Sequence, residues 1–259
     1  IENGGFIPAS IADLTKKGLK IFIKDENLFS YKKIVYALKE NPEKTIITAD
    51  DDVIYPDSLL HRLIQKSQEY PKHIVCFRGH FLSFDKQEKL LPYRKILDRR
   101  LDNAKRTAPS FCLLPTGVSG VLYPPHSLDE IATDQEQFMS LSPYADDIWL
   151  KIASLKKGTL CVQAEKRNLL FPSIPKTQEV SLASINVERR ENDRQIQACF
   201  AKYPDLLEKV KQDARRLNMI CKVSVTMKIL DCIHMIRCKL NLRLRHRISK
   251  LYGIIFHAR

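Results

Sequence analysis

The feature that most constrains the fold is residues 45–64, where a β-branched segment precedes an acidic turn and an apolar helical pattern. Residues 45–48 read Thr-Ile-Ile-Thr, a composition typical of a buried strand. Asp50, Asp51 and Asp52 follow this strand directly. The order predicts a strand, an acidic turn and a helix, which is the local pattern of an α/β protein.

The acidic turn has two interpretations. In open α/β sheets, ligands bind outside the carboxyl ends of the strands. Neighbouring carboxylates repel one another unless a cation lies between them, and oxygen ligands of this kind suit Mg²⁺ or Mn²⁺. A solvated turn is the commoner explanation for an isolated run of three aspartates. Because a strand precedes this run and a helix follows it, the sequence favours a metal site.

The segments around this unit extend the α/β pattern. Asp57 is a good N-cap for the helix that follows the turn. Residues 19–24 alternate apolar and basic residues and predict a strand, residues 31–38 predict a helix, and residues 73–77 predict another strand. The strand at 19–24, the helix at 31–38 and the strand before the aspartates form a β-α-β unit, which implies parallel pairing with a right-handed crossover. We therefore expect an α/β fold with a mostly parallel, Rossmann-like sheet flanked by helices.

A second acidic pair, Asp146 and Asp147, lies at a predicted helix start far along the chain. Acidic residues at such positions are usually capping residues, so the pair alone does not indicate a site. Asp146 is the better placed of the two to cap the first turn. Because the helix dipole favours the ionised form, we expect Asp147 to be a carboxylate at neutral pH. Trp149, in the same helix, is expected in the core.

Two loops between the acidic clusters are candidates for ligand contact. Residues 86–109 are charged and predicted to be irregular, and loops of this length in a compact domain are often functional. Gly117 and Gly120 allow close approach of the backbone to a ligand. A plain turn into a short strand explains these glycines equally well. From residue 187 onward the pattern is helical, with a break at Tyr203.

The basic charge is concentrated at the carboxyl end of the chain. The formal net charge is +13, and residues 217–259 carry nine basic residues against one aspartate. Helices with one apolar and one basic side lie on anionic membranes, so we expect this segment to contact the inner membrane surface. A helix packed on the domain with a solvated basic face is an equal alternative. We therefore describe residues 206–259 as a basic, amphipathic helical extension.

Cysteine usage and hydropathy indicate the compartment. The seven cysteines are scattered and include no Cys-x-x-Cys pair, which argues against a zinc site or a disulfide framework and for a reducing compartment. No apolar run approaches the roughly 20 residues of a membrane span, and no signal peptide is visible. We expect a cytoplasmic protein that is peripheral on the inner face of the plasma membrane.

Several short motifs occur together along residues 1–205. They are Ser-Tyr-Lys-Lys at 30–33, Thr-Ala-Asp-Asp-Asp-Val-Ile-Tyr-Pro at 48–56, Gly-Val-Leu-Tyr-Pro-Pro at 120–125, Ala-Asp-Asp-Ile-Trp at 145–149 and Asn-Asp-Arg-Gln at 192–195. Each motif is weak alone, but the ordered set resembles bacterial glycosyltransferases of the GT-A fold, related to the family 2 enzymes of capsule and lipopolysaccharide synthesis. The basic extension lies outside the resemblance.

The resemblance implies transfer of a sugar, with inversion, from a nucleotide-sugar donor to a hydroxyl of a cell-surface glycan or glycolipid. It also implies a divalent cation, Mn²⁺ or Mg²⁺. Residues 50–52 match the Asp-x-Asp motif of the family, with Asp52 as the main metal ligand and Asp50 as its partner. Asp147 matches the position of the catalytic base, with Asp146 beside it. Such enzymes open with a strand and a helix ahead of the segment equivalent to Ile1. We therefore expect residues 1–205 to be an N-terminally incomplete catalytic domain, and the alternative is impaired donor binding.

The resemblance also places a donor around these carboxylates. The candidate donor-binding residues are Lys33, Asp50, Asp51, Arg78, Gly120 and Tyr123. Lys33 lies near the start of a predicted helix and can meet a diphosphate, although a solvated face is the simpler expectation for it.

Two other classes of function remain to be weighed. A metal-dependent phosphatase or nuclease also uses clustered carboxylates, and stimulation by a sugar acceptor would separate a transferase from it. A nucleic-acid binder would explain the positive charge. The sequence has no recognition motif and no interleaving of aromatic and basic residues, so we expect no nucleic-acid partner.

Overall fold

The computed structural model describes residues 7–97, 106–175 and 191–220. The helices are α1 (Ala9–Ala12), α2 (Val35–Glu40), α3 (Leu59–Glu69), α4 (Tyr93–Leu97), α5 (Gln135–Leu141), α6 (Asp146–Lys157), α7 (Glu191–Lys202) and α8 (Pro204–Arg216). The strands are β1 (Ile46–Thr48), β2 (Ile74–Cys76), β3 (Gly79–Phe81), β4 (Leu113–Pro115), β5 (Val121–Tyr123) and β6 (Cys161–Gln163). Short 3-10 turns lie at Asp13–Lys17, Phe29–Lys33, Gly117–Ser119 and Glu130–Thr133.

The main sheet has four strands in the order β1-β5-β2-β6, and β3 pairs with β4 in a small antiparallel sheet. In this sheet β2 and β6 pair in parallel, whereas β5 is antiparallel to both β1 and β2. The expected α/β class is therefore confirmed, but the sheet is mixed rather than mostly parallel. Because β5 alone is reversed, β1, β2 and β6 all end at the same edge of the sheet. We call this edge the carboxyl edge.

The chain reverses into β5 through a short turn. The 3-10 turn Gly117–Ser119 follows β4, and Gly120 then has a φ of 93°, which favours glycine. A side chain at Gly120 would also meet Leu59 of α3, which lies 3.3 Å from the position that a Cβ would occupy. Gly120 therefore allows both the reversal and the close packing of α3 against the sheet.

The predicted strand at residues 19–24 is wrong. Residues 19–23 have no regular secondary structure, and Phe22 and Ile23 are 46% and 55% exposed. These alternating apolar residues therefore do not pack into a core. The predicted β-α-β unit that would begin with residues 19–24 is not formed. Asp57 is not the predicted cap either, because α3 begins after Ser58 and has no side-chain cap.

The two faces of the sheet pack against different helices. Trp149 of α6 is fully buried in the larger core, as predicted, and its Nε1 donates a hydrogen bond to the carbonyl of Ile131. Along β2, Ile74 and Cys76 belong to this core, while Val75 faces α3 in a second, smaller cluster. This alternation follows from the two-residue period of a strand. The sheet is thus covered by α3 on one face and by α6 on the other.

The helices α7 and α8 pack on α6, and the predicted break at Tyr203 separates them. Leu206 and Val210 of α8 belong to the larger core. Asp213 is buried and accepts hydrogen bonds from the Ser110 hydroxyl at 2.6 Å and from the Phe111 N–H at 2.7 Å. The expected domain boundary after residue 205 therefore falls inside α8.

The proposed membrane contact at residues 217–259 lies almost entirely outside the described residues, which end at 220. Within the described ranges, no helix is both long enough and apolar enough to cross a membrane.

Candidate functional site

The carboxyl edge of the sheet gathers the residues that the sequence singled out. Asp50 follows β1, Arg78 follows β2, and Gln163 is the last residue of β6. The start of α6 reaches the same edge. There Asp146 lies against Lys33, and Asp147 accepts a hydrogen bond from the Gly117 N–H. Because ligands bind at this edge in open α/β sheets, it is the candidate functional site.

Lys33 connects the two acidic regions. Its Nζ lies 3.0 Å from Asp50 Oδ1 and 3.2 Å from Asp146 Oδ2. The Lys33 side chain is only 19% exposed, so the expectation of a solvated lysine is wrong. Burial by itself lowers the pKa of Lys33, but Asp146, Asp147 and Asp50 raise it more, so the pKa lies well above its usual value. The ammonium therefore stays charged. We call Lys33, Asp50, Asp146 and Asp147 the Lys33 cluster.

Asp147 is held by the turn that precedes β5. The Gly117 N–H donates a hydrogen bond of 2.9 Å to Asp147 Oδ1. A Cβ at Gly117 would lie 2.6 Å from Lys33 Nζ, so any side chain at this position would displace the lysine. The absence of a side chain at Gly117 thus leaves room for the Lys33 ammonium beside Asp147.

The pKa of Asp147 is raised to about 7, first by burial and then by the neighbouring Asp146 carboxylate. Lys33 and the Gly117 N–H act in the opposite direction but do not cancel these effects. At neutral pH, Asp147 is therefore divided between its carboxylate and its protonated form, rather than held fully ionised by the helix start. A group with a pKa near neutrality is well matched to accept and release a proton.

Asp146 does not cap α6. The helix begins after Ala145 and has no side-chain cap hydrogen bond. Asp146 is only 5% exposed, and its carboxylate lies against Lys33 instead. The local helix rule failed because a cation from a distant segment offers a buried carboxylate a stronger partner than a backbone N–H.

The other predicted donor residues are distributed as follows. Asp51 is exposed, and Asp52 is half-buried with its carbonyl accepting a hydrogen bond from the Ile174 N–H at 2.7 Å. Gly120 packs against α3. Tyr123 is buried in the larger core, and burial followed by the charge of Asp147 raises its pKa well above the usual value. Of the three aspartates, Asp50 joins the Lys33 cluster through its ion pair with Lys33.

Tyr55 is a residue of the site that sequence reasoning missed. Its hydroxyl accepts a hydrogen bond from the Asp50 N–H at 2.9 Å and donates one to the Val118 carbonyl at 2.9 Å. The acidic turn is thereby tied to the turn that holds Asp147. The Tyr-Pro pair after the aspartates was a signal for this residue, because a tyrosine at the end of an acidic turn offers a hydroxyl to its backbone.

The side chains as arranged do not fit the expected Mn²⁺ or Mg²⁺. Across the described ranges, no group of three or more His, Cys, Asp and Glu side chains is close enough to hold a metal ion. Asp50, one of the two expected ligands, is paired with Lys33. The cation that lies between Asp50 and Asp146 is therefore an ammonium, and no step of the chemistry below passes through a metal.

A cavity of about 310 Å³ lies elsewhere on the domain. It is lined by residues 123–130 together with Leu38, Lys44 and Lys157, at the far end of β5 from the Lys33 cluster. Its walls mix acidic and basic side chains with prolines, and Asp129 in its lining is paired with Lys156. We therefore place the candidate site at the Lys33 cluster rather than at this cavity.

Comparisons with protein-family models, with curated proteins and with solved structures found no match for this chain. Its function is accordingly argued from the site itself and from the motif resemblance.

The raised pKa of Asp147 predicts how stability changes with pH. Between its ordinary pKa of 3.8 and the folded value of about 7, the folded chain holds a proton that the unfolded chain has lost. The stability from this proton is complete below the lower value and is lost as pH rises through about 7. We expect Asp147→Asn, which imitates the protonated acid, to lack this loss. Urea unfolding of both proteins across this pH range measures the difference.

Asp213 provides a control of opposite sign. Burial raises its pKa, but the hydrogen bonds from Ser110 and Arg216 outweigh burial, and the net effect is a lowered pKa. Its contribution is therefore present above the unfolded pKa and lost as pH falls through the folded one. Asp213→Asn should weaken the fold most at neutral pH and least in acid. Parallel pH profiles for the wild type and Asp147→Asn would contradict the assignment for Asp147.

Proposed function

We propose that this chain is a glycosyltransferase of the GT-A type, which moves a sugar from a nucleotide-sugar donor to a hydroxyl of a cell-surface glycan or glycolipid. The observation that carries the proposal is the Lys33 cluster. It joins Asp50, at the end of a strand, with Asp147, at the start of a distant helix, on the carboxyl edge of the sheet. The resemblance implies that an inverting transferase of this type brings such a pair of carboxylates from distant parts of the chain to one site.

Asp147 is proposed as the general base. An acceptor hydroxyl attacks the anomeric carbon of the donor, and its proton passes to the Asp147 carboxylate. The new bond joins the acceptor oxygen to the anomeric carbon. The bond from that carbon to the diphosphate oxygen breaks, and the nucleoside diphosphate leaves with the electron pair. Attack on the face opposite the leaving group inverts the configuration.

The surrounding residues are proposed to orient this base. The Gly117 N–H fixes one oxygen of Asp147, and Lys33 holds the neighbouring Asp146. Tyr55 links the turn after β1 to the same region. Holding two substrates and a base in line removes much of the entropic cost of a bimolecular reaction. These contacts give the side chains a fixed geometry before any substrate binds.

The direction of the strands and the charge of residues 217–259 each support the proposed glycosyltransferase. Three of the four strands of the main sheet end at the carboxyl edge, as expected for a nucleotide-binding α/β enzyme. For residues 217–259, the excess of basic over acidic residues supports a peripheral contact with an anionic membrane, where lipid-linked acceptors are found. The hydrolase alternative needs carboxylates grouped around metals, and the described carboxylates do not form such a group.

The proposal predicts that a nucleotide sugar binds and stabilises the native protein. A ligand at about 100 times its dissociation constant adds about 2.7 kcal/mol to the free energy of unfolding. We therefore expect at least one nucleotide sugar in a panel to raise the melting temperature, with or without Mn²⁺. Release of the nucleoside diphosphate from that donor should then increase when a glycan acceptor is added. A panel without any thermal shift, or release that ignores every acceptor, would refute the transferase.

A further inference from the structure

Arg106 is a buried cation at the carboxyl edge. The residue is only 9% exposed. Its Nη1 lies within hydrogen-bond distance of the Gly79 carbonyl (3.3 Å), Gln163 Oε1 (3.2 Å) and Asn168 Oδ1 (3.3 Å). All three acceptors are neutral, so they orient the guanidinium without balancing its charge.

Arg78 brings a second guanidinium to the same place. Its Nη1 donates a hydrogen bond of 2.8 Å to the Thr116 hydroxyl. Within the described part of the chain, no aspartate or glutamate forms an ion pair with Arg78 or Arg106. Burial lowers the pKa of His80, and the charges of Arg78 and Arg106 lower it further, to about 3. His80 is therefore neutral and adds no charge. Arg106 is thus a buried charge without a counter-ion, and Arg78 is a half-buried one, an arrangement that is costly and calls for an explanation.

Two buried polar atoms nearby lack a hydrogen-bond partner. They are Gln163 Nε2 and His80 Nε2, and their residues are 0% and 6% exposed. Gln163 Oε1 accepts from Arg106, which fixes the orientation of the amide and makes the second atom a donor. Guanidinium groups and an unpaired amide donor in one place are the chemistry that recognises an oxyanion.

We propose that Arg78, Arg106 and Gln163 form an oxyanion site that takes a diphosphate, the leaving group of the nucleotide-sugar donor. This inference rests on the proposed function, and we call these three residues the guanidinium site. Its position fits the reaction, because Thr116 binds Arg78 and the next residue, Gly117, binds Asp147. The base and the leaving group are thus placed on either side of one turn.

The charge distribution explains why a second cationic group is needed. Lys33 is surrounded by carboxylates, so its charge is already balanced. A departing diphosphate gains negative charge, and fixed cations in a water-poor site stabilise it strongly. Arg78 and Arg106, by contrast, are at least half-buried at this edge and have no carboxylate partner among the described residues. The guanidinium site therefore supplies the positive charge in place of a metal.

The decisive variant is Gln163→Glu. Glutamate has almost the same shape, and the oxygen that accepts from Arg106 at 3.2 Å is retained. The new carboxylate neutralises Arg106 from inside the site and repels an incoming oxyanion. We expect the melting temperature to be maintained or raised, because a buried guanidinium gains a counter-ion. The affinity for inorganic pyrophosphate and for nucleoside diphosphates should fall by about 10- to 100-fold, the range for losing a hydrogen bond to a charged group. The control is Gln65→Glu on the exposed surface of α3, which changes the net charge equally.

A second variant tests the same site independently of whether Gln163→Glu folds. Arg106→Gln removes the charge directly, and Arg194→Gln on α7, where the arginine is exposed and paired with Glu191, is its control. Binding is measured by calorimetry with the full chain, in chelator, using pyrophosphate and then uridine and guanosine diphosphates. We expect Arg106→Gln to lose affinity for every probe and Arg194→Gln to lose none.

The outcomes separate the site from the reaction. If the wild type binds none of these probes, or if Gln163→Glu and Arg106→Gln bind them as the wild type does, the guanidinium site is refuted. If the variants lose diphosphate binding while no nucleotide sugar acts as a donor, the guanidinium site stands and the glycosyltransferase falls. Loss of binding to nucleoside diphosphates together with loss of transfer supports both.

Discussion

Replacing Asp147 with asparagine should lower the rate of sugar transfer by about 10²–10⁴-fold, the usual contribution of a general base. Asparagine keeps the size of the side chain, and its carbonyl oxygen can still accept the hydrogen bond that the Gly117 N–H donates at 2.9 Å. It cannot take a proton from the acceptor. Donor affinity should hardly change, because Arg78 and Arg106 hold the diphosphate in the proposed arrangement. The measurement is the initial rate together with donor binding.

A matched control is Asp205→Asn, which changes an exposed aspartate in the first turn of α8. This variant shares the chemistry of the substitution and its place in a helix, but it lies away from the site. It should transfer sugar at the wild-type rate. Full turnover by Asp147→Asn, or a loss of donor binding as large as its loss of rate, would remove Asp147 from the role of base.

The pH dependence of transfer gives an independent check on the same residue. A base must be unprotonated to act, and the pKa of Asp147 is raised to about 7. The wild-type rate with saturating substrates should therefore rise with pH through about 7 and level off above it. The weak residual rate of Asp147→Asn should lack this rise.

Patterns within one segment predicted several elements correctly, although the alternating residues 19–24 form no strand and Asp57 does not cap α3. The strand before the aspartates, the helix that starts at Asp146, the burial of Trp149 and the break at Tyr203 all depend on residues close together in the sequence. The period of apolar residues and the positions of glycine and proline carry this information. The direction of β5 was not predictable in this way, because a three-residue strand has no signal for which neighbours it joins.

Contacts between distant segments were predicted only in part. The resemblance brought Asp50 and Asp147 into one site, but it did not place Lys33 between Asp50 and Asp146. Local rules treat a lysine at a helix start as solvated and an aspartate there as a cap, and both rules failed when the fold buried the two side chains together. Arg106 lay in a stretch that looked irregular, where a single arginine does not stand out from the surrounding charges.

The substitution Lys33→Met tests whether the ammonium holds the Lys33 cluster together. Methionine keeps much of the aliphatic stem, but it leaves Asp50, Asp146 and Asp147 facing one another without a cation. Losing an exposed ion pair costs about 1 kcal/mol or less, whereas breaking a buried one costs about 3–5 kcal/mol. Because the Lys33 side chain is 19% exposed, the loss should fall between these values and towards the upper one.

The loss should depend on pH in a defined direction. With the lysine removed, the pKa of Asp147 rises further, because Lys33 is one of the groups that hold it down. Protonation then relieves the repulsion, so the difference in unfolding free energy between the wild type and Lys33→Met should be largest at neutral pH and shrink in acid. Urea unfolding at neutral and at acidic pH measures this difference in unfolding free energy. The control is Lys16→Met, which breaks an exposed ion pair with Asp13.

Lys33→Met also tests whether the ammonium of the Lys33 cluster takes the place of a divalent cation. In the wild type, the ammonium lies between Asp50 and Asp146, so Mn²⁺ should have little effect on stability. Removing the ammonium leaves the carboxylates of Asp50 and Asp146 facing its former position, and two carboxylates with water can bind Mn²⁺. We therefore expect Mn²⁺ to restore part of the stability that Lys33→Met loses, while Lys16→Met gains nothing from it. If Mn²⁺ instead stabilises the wild type as strongly as Lys33→Met, the metal binds outside the Lys33 cluster, and the ammonium does not take the place of a divalent ion.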